Sequence, residues 1–217
     1  MHDYQLEFIE FAIKQEALCF GEFTLKSGRT SPYFFNSGLF NDGDSLQHLG
    51  RCYRQAIEQS GLEFDMLFGP AYKGIPLASA VAISYAADKQ RSLPYCFDRK
   101  EEKDHGEGGI TMGAPLNGRV LLIDDVITAG TSVKLSRQLI LAANANPVGI
   151  AIALDRQERG QGNFSAIQEI EQEHEMKVIN IISLENLVEY LQSRADMSEN
   201  LTKINEYRQQ YGVNPNS

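Results

Sequence analysis

Two adjacent carboxylates followed by a run of small hydroxylated residues carry the strongest chemical signal in the chain, in Val120-Leu121-Leu122-Ile123-Asp124-Asp125-Val126-Ile127-Thr128-Ala129-Gly130-Thr131-Ser132. The apolar start reads as a buried strand, so Asp124 and Asp125 stand at its carboxyl end, where open α/β sheets bind their ligands. The turn over 128–132 can supply backbone N–H groups, hydroxyls and the positive end of a helix, a phosphate cradle that needs no lysine. The acids would repel that phosphate. They must face something else, such as sugar hydroxyls, a magnesium ion or a developing cation, and a phosphorylated sugar meets both demands. A strand end and a helix cap would use the same residue types, but crowding two acids costs free energy that a simple cap avoids.

Further candidates lie at other turns. Lys73 follows a Gly69-Pro70 turn, and Arg156 follows an apolar strand. Between Asp98 and His105 the chain carries three Lys or Arg and four acids, with glycines after them, which suits a lid more than a basic patch. Two nucleotide motifs fail on inspection. Gly69 and Gly74 have P-loop spacing, but Ile75 stands where lysine is required; Gly106-Glu107-Gly108 begins a dinucleotide fingerprint, but Thr111 takes the third glycine's place.

The elements that must position these residues follow from periodicity. Short apolar runs at 64–68, 93–97, 120–123, 148–154 and 178–182 read as strands, and helices are expected over 75–87 and 132–143 and after a Ser165/Gln168 capping box. This alternation predicts an α/β fold, an open, mostly parallel sheet flanked by helices. Ahead of it, an amphipathic helix follows Asp44 and ends at Gly61. Residues 1–40 read as a helix with Leu6, Ile9, Ala12 and Ile13 on one stripe, then short extended pieces forming a small hood on a single domain spanning 1–217. The stretch 98–119 reads as a loop of about twenty residues, long enough to be functional. From about Ser198 the chain reads as a polar surface helix with a frayed tail.

Composition narrows the class. The chain has 217 residues, and 20 Lys plus Arg against 29 Asp plus Glu give a net charge of −9, which argues against a broad nucleic-acid surface. Three scattered cysteines, Cys19, Cys52 and Cys96, form no CxxC pair, which speaks against a disulfide framework or zinc site and for a reducing cytoplasm. The start lacks a signal-peptide pattern, and no apolar run nears the ~20 residues that span a bilayer, so no membrane partner is expected.

The run 121–132 resembles the 5-phosphoribosyl 1-diphosphate (PRPP) signature of the type I phosphoribosyltransferases. Phe23-Thr24-Leu25-Lys26-Ser27-Gly28-Arg29-Thr30-Ser31-Pro32-Tyr33-Phe34-Phe35-Asn36 resembles the N-terminal motif of the orotate phosphoribosyltransferases. With Tyr72-Lys73-Gly74, the segment 99–105 and Arg156, the resemblance covers 23–156 in the family's order. It implies magnesium-dependent transfer of phosphoribosyl from PRPP to orotate in UMP synthesis, on the type I phosphoribosyltransferase fold. Asp124 and Asp125 would hold the ribose hydroxyls, while Val126, Ile127, Thr128, Ala129, Gly130, Thr131 and Ser132 wrap the 5-phosphate. Tyr72 and Lys73 would take the diphosphate, aided by Lys26, Arg99, Lys100, Lys103 and His105, with Lys103, His105, Asp124 and Asp125 as the catalytic set. Lys26, Phe34, Phe35, Thr128 and Arg156 would form the orotate site. The magnesium ion would be held mainly by PRPP, with no direct protein ligand. A homodimer is implied, with the 98–119 loop shared across its interface.

Overall fold

A computed structural model describes residues 1–25, 27–103, 109–127, 130–160, 162 and 164–213, the side chains of 100–103 and 109 excepted. Six strands form the main sheet in the order β5-β4-β3-β6-β7-β8: β3 (Met66–Gly69), β4 (Tyr95–Lys103), β5 (Gly109–Gly113), β6 (Arg119–Ile123), β7 (Asn146–Asp155) and β8 (Lys177–Ser183). All neighbouring pairs are parallel except β4 with β5. The hood is a separate antiparallel hairpin of β1 (Leu18–Thr24) and β2 (Thr30–Phe35).

Strand β6 shows why this sheet is covered on both sides. Its side chains alternate, with Leu121 and Ile123 entering one apolar cluster and Val120 and Leu122 the other, as the two-residue period of a strand requires. The first cluster lies under α1 (Asp3–Lys14), α2 (Gly43–Ser60), α3 (Gly74–Lys89), α6 (Leu184–Gln192) and α7 (Ser198–Tyr211); the second lies under α4 (Thr131–Ala142) and α5 (Ala166–His174). Truncating a fully buried residue such as Leu121 would cost about 2–5 kcal/mol.

The order of the strands locates the ligand crevice. From β3 the chain crosses through α3 to β4 on one side, whereas from β6 it crosses through α4 to β7 on the other. The carboxyl ends of β3 and β6 therefore flank a topological switch point, the place where such sheets open a crevice. The turn at 70–73 leaves β3 there and the segment 124–130 leaves β6.

Three expectations need correction. The stretch 98–119 is not a structureless loop, because β4 runs on to Lys103 and β5 returns antiparallel from Gly109, pairing Asp98 with Thr111. The apolar stripe of α1 is rotated: Gln5, Phe8, Ile9 and Ala12 are buried while Leu6 is exposed, since Phe8 and Phe11 pack on Phe40. Helix α7 is more than a surface element, with Ile204 and Tyr207 buried in the core.

Candidate active site

At the crevice the acidic pair is engaged by residues from three directions. Asp125 is buried, and its Oδ2 accepts hydrogen bonds from Lys73 Nζ at 2.6 Å and Ser37 Oγ at 2.7 Å. Asp124 accepts from the Asp125 N–H at 2.9 Å and more weakly from Ser132 Oγ at 3.4 Å, while its backbone carbonyl accepts from Tyr53 Oη at 2.7 Å. Burial and the neighbouring Asp125 charge push the Asp124 carboxyl up to about 7, against the opposing pull of the Asp125 N–H, Ser132 and Lys73. A carboxyl held so high is relieved by hydroxyl donors or positive charge, which is what the sequence reading requires of its ligand.

The phosphate cradle is partly in place. Gly130 caps α4 at φ 67°, in the left-handed region that glycine enters freely, and being glycine it offers the helix no side-chain cap. The start of α4 thus presents its first amides beside Asp124, whose carboxylate accepts from Ser132 Oγ. Val126 differs from the expectation, because its N–H is already bonded to Asp125 Oδ1 at 2.9 Å.

The turn after β3 is packed against the tip of β6. A Cβ on Gly69 would fall 2.2 Å from the Gly74 carbonyl, and one on Gly74 would fall 2.7 Å from the Ile123 carbonyl, so close approach explains both glycines. The Ala71–Tyr72 peptide is cis, and Tyr72 projects outward, 65% exposed. Lys73 also borders a cavity of about 410 Å³ with Ser37 and Asp42. A second cavity, of about 520 Å³, lies between Ala71, Asp98, Arg99 and Ser132. Arg99 Nη1 is itself buried without a hydrogen-bond partner among the described residues.

Arg156 leaves the end of β7 and is held on several sides. Its guanidinium stacks 4.2 Å over the Tyr33 ring, donates from Nη2 to Ser31 Oγ at 3.0 Å, and donates from Nε to Glu158 Oε1 at 2.7 Å. The N-terminal motif and the strand-end arginine thus meet in space. Within that motif the two phenylalanines part company: Phe34 is 40% exposed and stacks on Phe23, whereas Phe35 packs inward against Phe8 and Phe40.

Lys26, His105, Thr128 and Ala129 lie outside the described residues, as do the side chains of Lys100 and Lys103. Ser37, Tyr53, Asp98 and Glu158 are contributors that sequence reasoning missed. Serines and single acids at loop ends have no pattern of their own, so only the fold reveals what they touch. Among the described residues no group of three His, Cys, Asp or Glu stands where it could hold a metal ion. Paired carboxylates beside an anion cradle nevertheless fit a magnesium ion carried in by a diphosphate.

Comparison with known proteins agrees with this geometry. The phosphoribosyl transferase domain profile matches residues 37–181. The chain is 61% identical to an orotate phosphoribosyltransferase of Thioalkalivibrio sulfidiphilus, with 98% of this chain and 100% of that one covered, and 59% identical to one of Stutzerimonas stutzeri at the same coverage. Its fold is similar to the crystal structure of the Francisella tularensis orotate phosphoribosyltransferase, at TM-score 0.87 and 44% identity over 95% of this chain and 100% of that chain. A Leishmania donovani UMP synthase, 22% identical, shares the fold at TM-score 0.73 over 95% of this chain and 42% of that one. With the acidic pair at the switch point, Arg156 packed on the hood, and relatives this similar along its length, the chain belongs to the orotate phosphoribosyltransferase family.

Proposed function

We propose that this crevice transfers the 5-phosphoribosyl group of PRPP to the ring nitrogen of orotate, giving orotidine 5-phosphate and diphosphate. The bond from the anomeric carbon to the diphosphate oxygen breaks, and a bond from that carbon to the ring nitrogen forms as the nitrogen loses its proton. Positive charge builds on the ribose and negative charge on the leaving diphosphate, so opposite electrostatics are needed a few ångströms apart. Asp124 and Asp125 serve the ribose side, and Lys73 with Arg99 serves the diphosphate side. Each preorganised group is worth about 3 kcal/mol if it acts only in the transition state.

The observation that carries this reading is the contact of Lys73 with Asp125 across the switch point, beside the glycine-capped start of α4. It puts a cation, an acid and the start of a helix within reach of one phosphorylated sugar. The remaining roles rest on the resemblance: Lys100, Lys103 and His105 on the lid, Lys26 with Phe34 and Thr128 at the base. Phe35 enters that site as a backbone neighbour, since its ring faces the core. Arg156, with its guanidinium fixed on Tyr33, is suited to read the planar, anionic base.

Magnesium fits the donor set, with Asp124 and Asp125 on its ribose side, and when bound it would supply positive charge to the leaving diphosphate. We also place the chain in the cytoplasm as a homodimer sharing the 98–119 segment; its cysteines are free, and no helix among the described residues is long and apolar enough to cross a membrane. The test is to incubate the purified protein with PRPP and magnesium, offering orotate, uracil, hypoxanthine or adenine in parallel. Loss of orotate absorbance alone is expected, and consumption of a purine instead would overturn the assignment. Sedimentation of the same sample reads the dimer.

A further inference from the structure

We propose that Asp98 is a positioning residue for the reaction, holding the diphosphate turn in its binding shape from the root of the lid. The proposal rests on the reading of the 70–73 turn as the diphosphate site.

Gly74 donates its N–H to the Pro70 carbonyl at 3.0 Å, which closes the start of α3, and the two glycines pack tightly against each other and against the β6 tip. These contacts fix both ends of the turn. In its middle Asp98 Oδ1 accepts the Ala71 N–H at 2.5 Å. Tyr72 and Lys73 follow at once, the first 65% exposed and the second with its amine on Asp125.

Asp98 has two positions at once. In β4 it pairs with Thr111 of β5, so its backbone belongs to the strand pair that leads into the lid. Its side chain reaches across to the turn after β3, in a register where β3 and β4 run parallel and Gly69 lies beside Phe97. The next residue, Arg99, lines with Asp98 the cavity that both share with Ala71 and Ser132. A negative group so near a diphosphate site should weaken anion binding through space. That makes a direct electrostatic role unfavourable and leaves hydrogen-bond acceptance as the reason for an acid here. Asp98 shapes the turn by accepting the Ala71 N–H.

Acceptance and charge can be separated by substitution. Asp98→Asn keeps an oxygen that accepts the Ala71 N–H and removes the charge, whereas Asp98→Ala removes both. Asp98→Ala is expected to lower kcat/KM for PRPP, and for diphosphate in the reverse direction, by about thirtyfold, because misplacing a turn by a fraction of an ångström has effects of that order. Its KM for orotate should change less than threefold. Asp98→Asn should stay within about threefold of the parent on every constant, a rescue that a metal-ligating or charge-based role would not give. Equal damage in Asp98→Asn and Asp98→Ala, or parent-like kinetics in Asp98→Ala, overturns the proposal. Lys73→Ala is measured alongside: if it leaves the diphosphate constants unchanged, the reading of the turn itself has failed, whatever Asp98 does.

Discussion

Lys73 Nζ lies 2.6 Å from Asp125 Oδ2, so the cation on the turn after β3 and the acid at the tip of β6 neutralise each other across the gap that the substrate must enter. Ser37 adds a third contact from the hood side. For PRPP to bind as proposed, Lys73 must exchange this acid for the diphosphate while Asp125 turns to the ribose. Asp125→Asn should therefore lower kcat/KM for PRPP by about a hundredfold. Its thermal midpoint should move little, because the Lys73 side chain is 53% exposed and an ion pair with a wet partner contributes little stability. Unchanged PRPP kinetics would remove Asp125 from the ribose site.

Asp124 predicts a pH effect of definite sign. Its carboxyl is pushed up to about 7, from an ordinary value of 3.8, first by burial and then by Asp125. An ionised Asp124 is the better acceptor for ribose hydroxyls, so kcat/KM for PRPP should rise about tenfold from pH 6 to pH 8 and then level off. Titration of the PRPP phosphates contributes to that rise, and Asp124→Asn supplies the baseline. If the variant keeps the full step near pH 7, the step belongs to another group.

The same group acts on stability in the opposite sense. The folded chain holds the Asp124 proton up to about 7, whereas the unfolded chain releases it near 3.8, so between these values the native state binds more protons. The resulting penalty is absent below the lower value, grows as pH rises, and is complete above about 7. Asp124→Asn should raise the melting temperature by several degrees at pH 8 and leave it unchanged near pH 4. Calorimetry of the two proteins at both pH values decides it, and a variant less stable at pH 8 would refute the argument.

Arg156→Lys should not be conservative. The guanidinium stacks on Tyr33 and bonds Ser31 and Glu158 at once, a set that a lysine ammonium cannot reproduce. The KM for orotate is expected to rise about ten- to a hundredfold with the KM for PRPP nearly constant. Equal changes in both constants would point to general disorder of the hood.

Lys103→Ala is expected to cut turnover by about two orders of magnitude with the far-ultraviolet circular dichroism unchanged, since Lys103 ends β4, past the residues 95–97 that pair with β3. Turnover within a few-fold of the parent would count against the lid.

How much of this is legible in the sequence depends on whether a residue's role is local. Strands β6 and β7 announce themselves because both faces are buried and their runs are continuously apolar. The acid pair and the turn beyond it are legible for the same reason, since position at a strand end and residue type suffice. Strand β5 is not, because Gly-Ile-Thr-Met-Gly is short, lies at an edge and pairs with a strand of charged residues. Helix α6 could have been found: Leu184, Leu187, Val188 and Leu191 recur at helical spacing after a Ser183 cap, directly behind β8. The contributions of Ser37, Tyr53 and Asp98 are set by contacts between segments 27 to 88 residues apart, which no local pattern encodes.

The crevice lies between two neighbouring strands, and this makes the donor half of the site a ruler. Adjacent strands sit about 4.8 Å apart whatever their side chains, so the gap between the β3 turn and the β6 tip is fixed by backbone hydrogen bonding. The half proposed for the base has no such standard: it is assembled from the hairpin and the segment after β7, whose contacts among the described residues run through side chains such as Arg29 and Arg156. Exchanging the nucleobase would demand changes at the periphery alone, with the sugar-phosphate gauge left as it is.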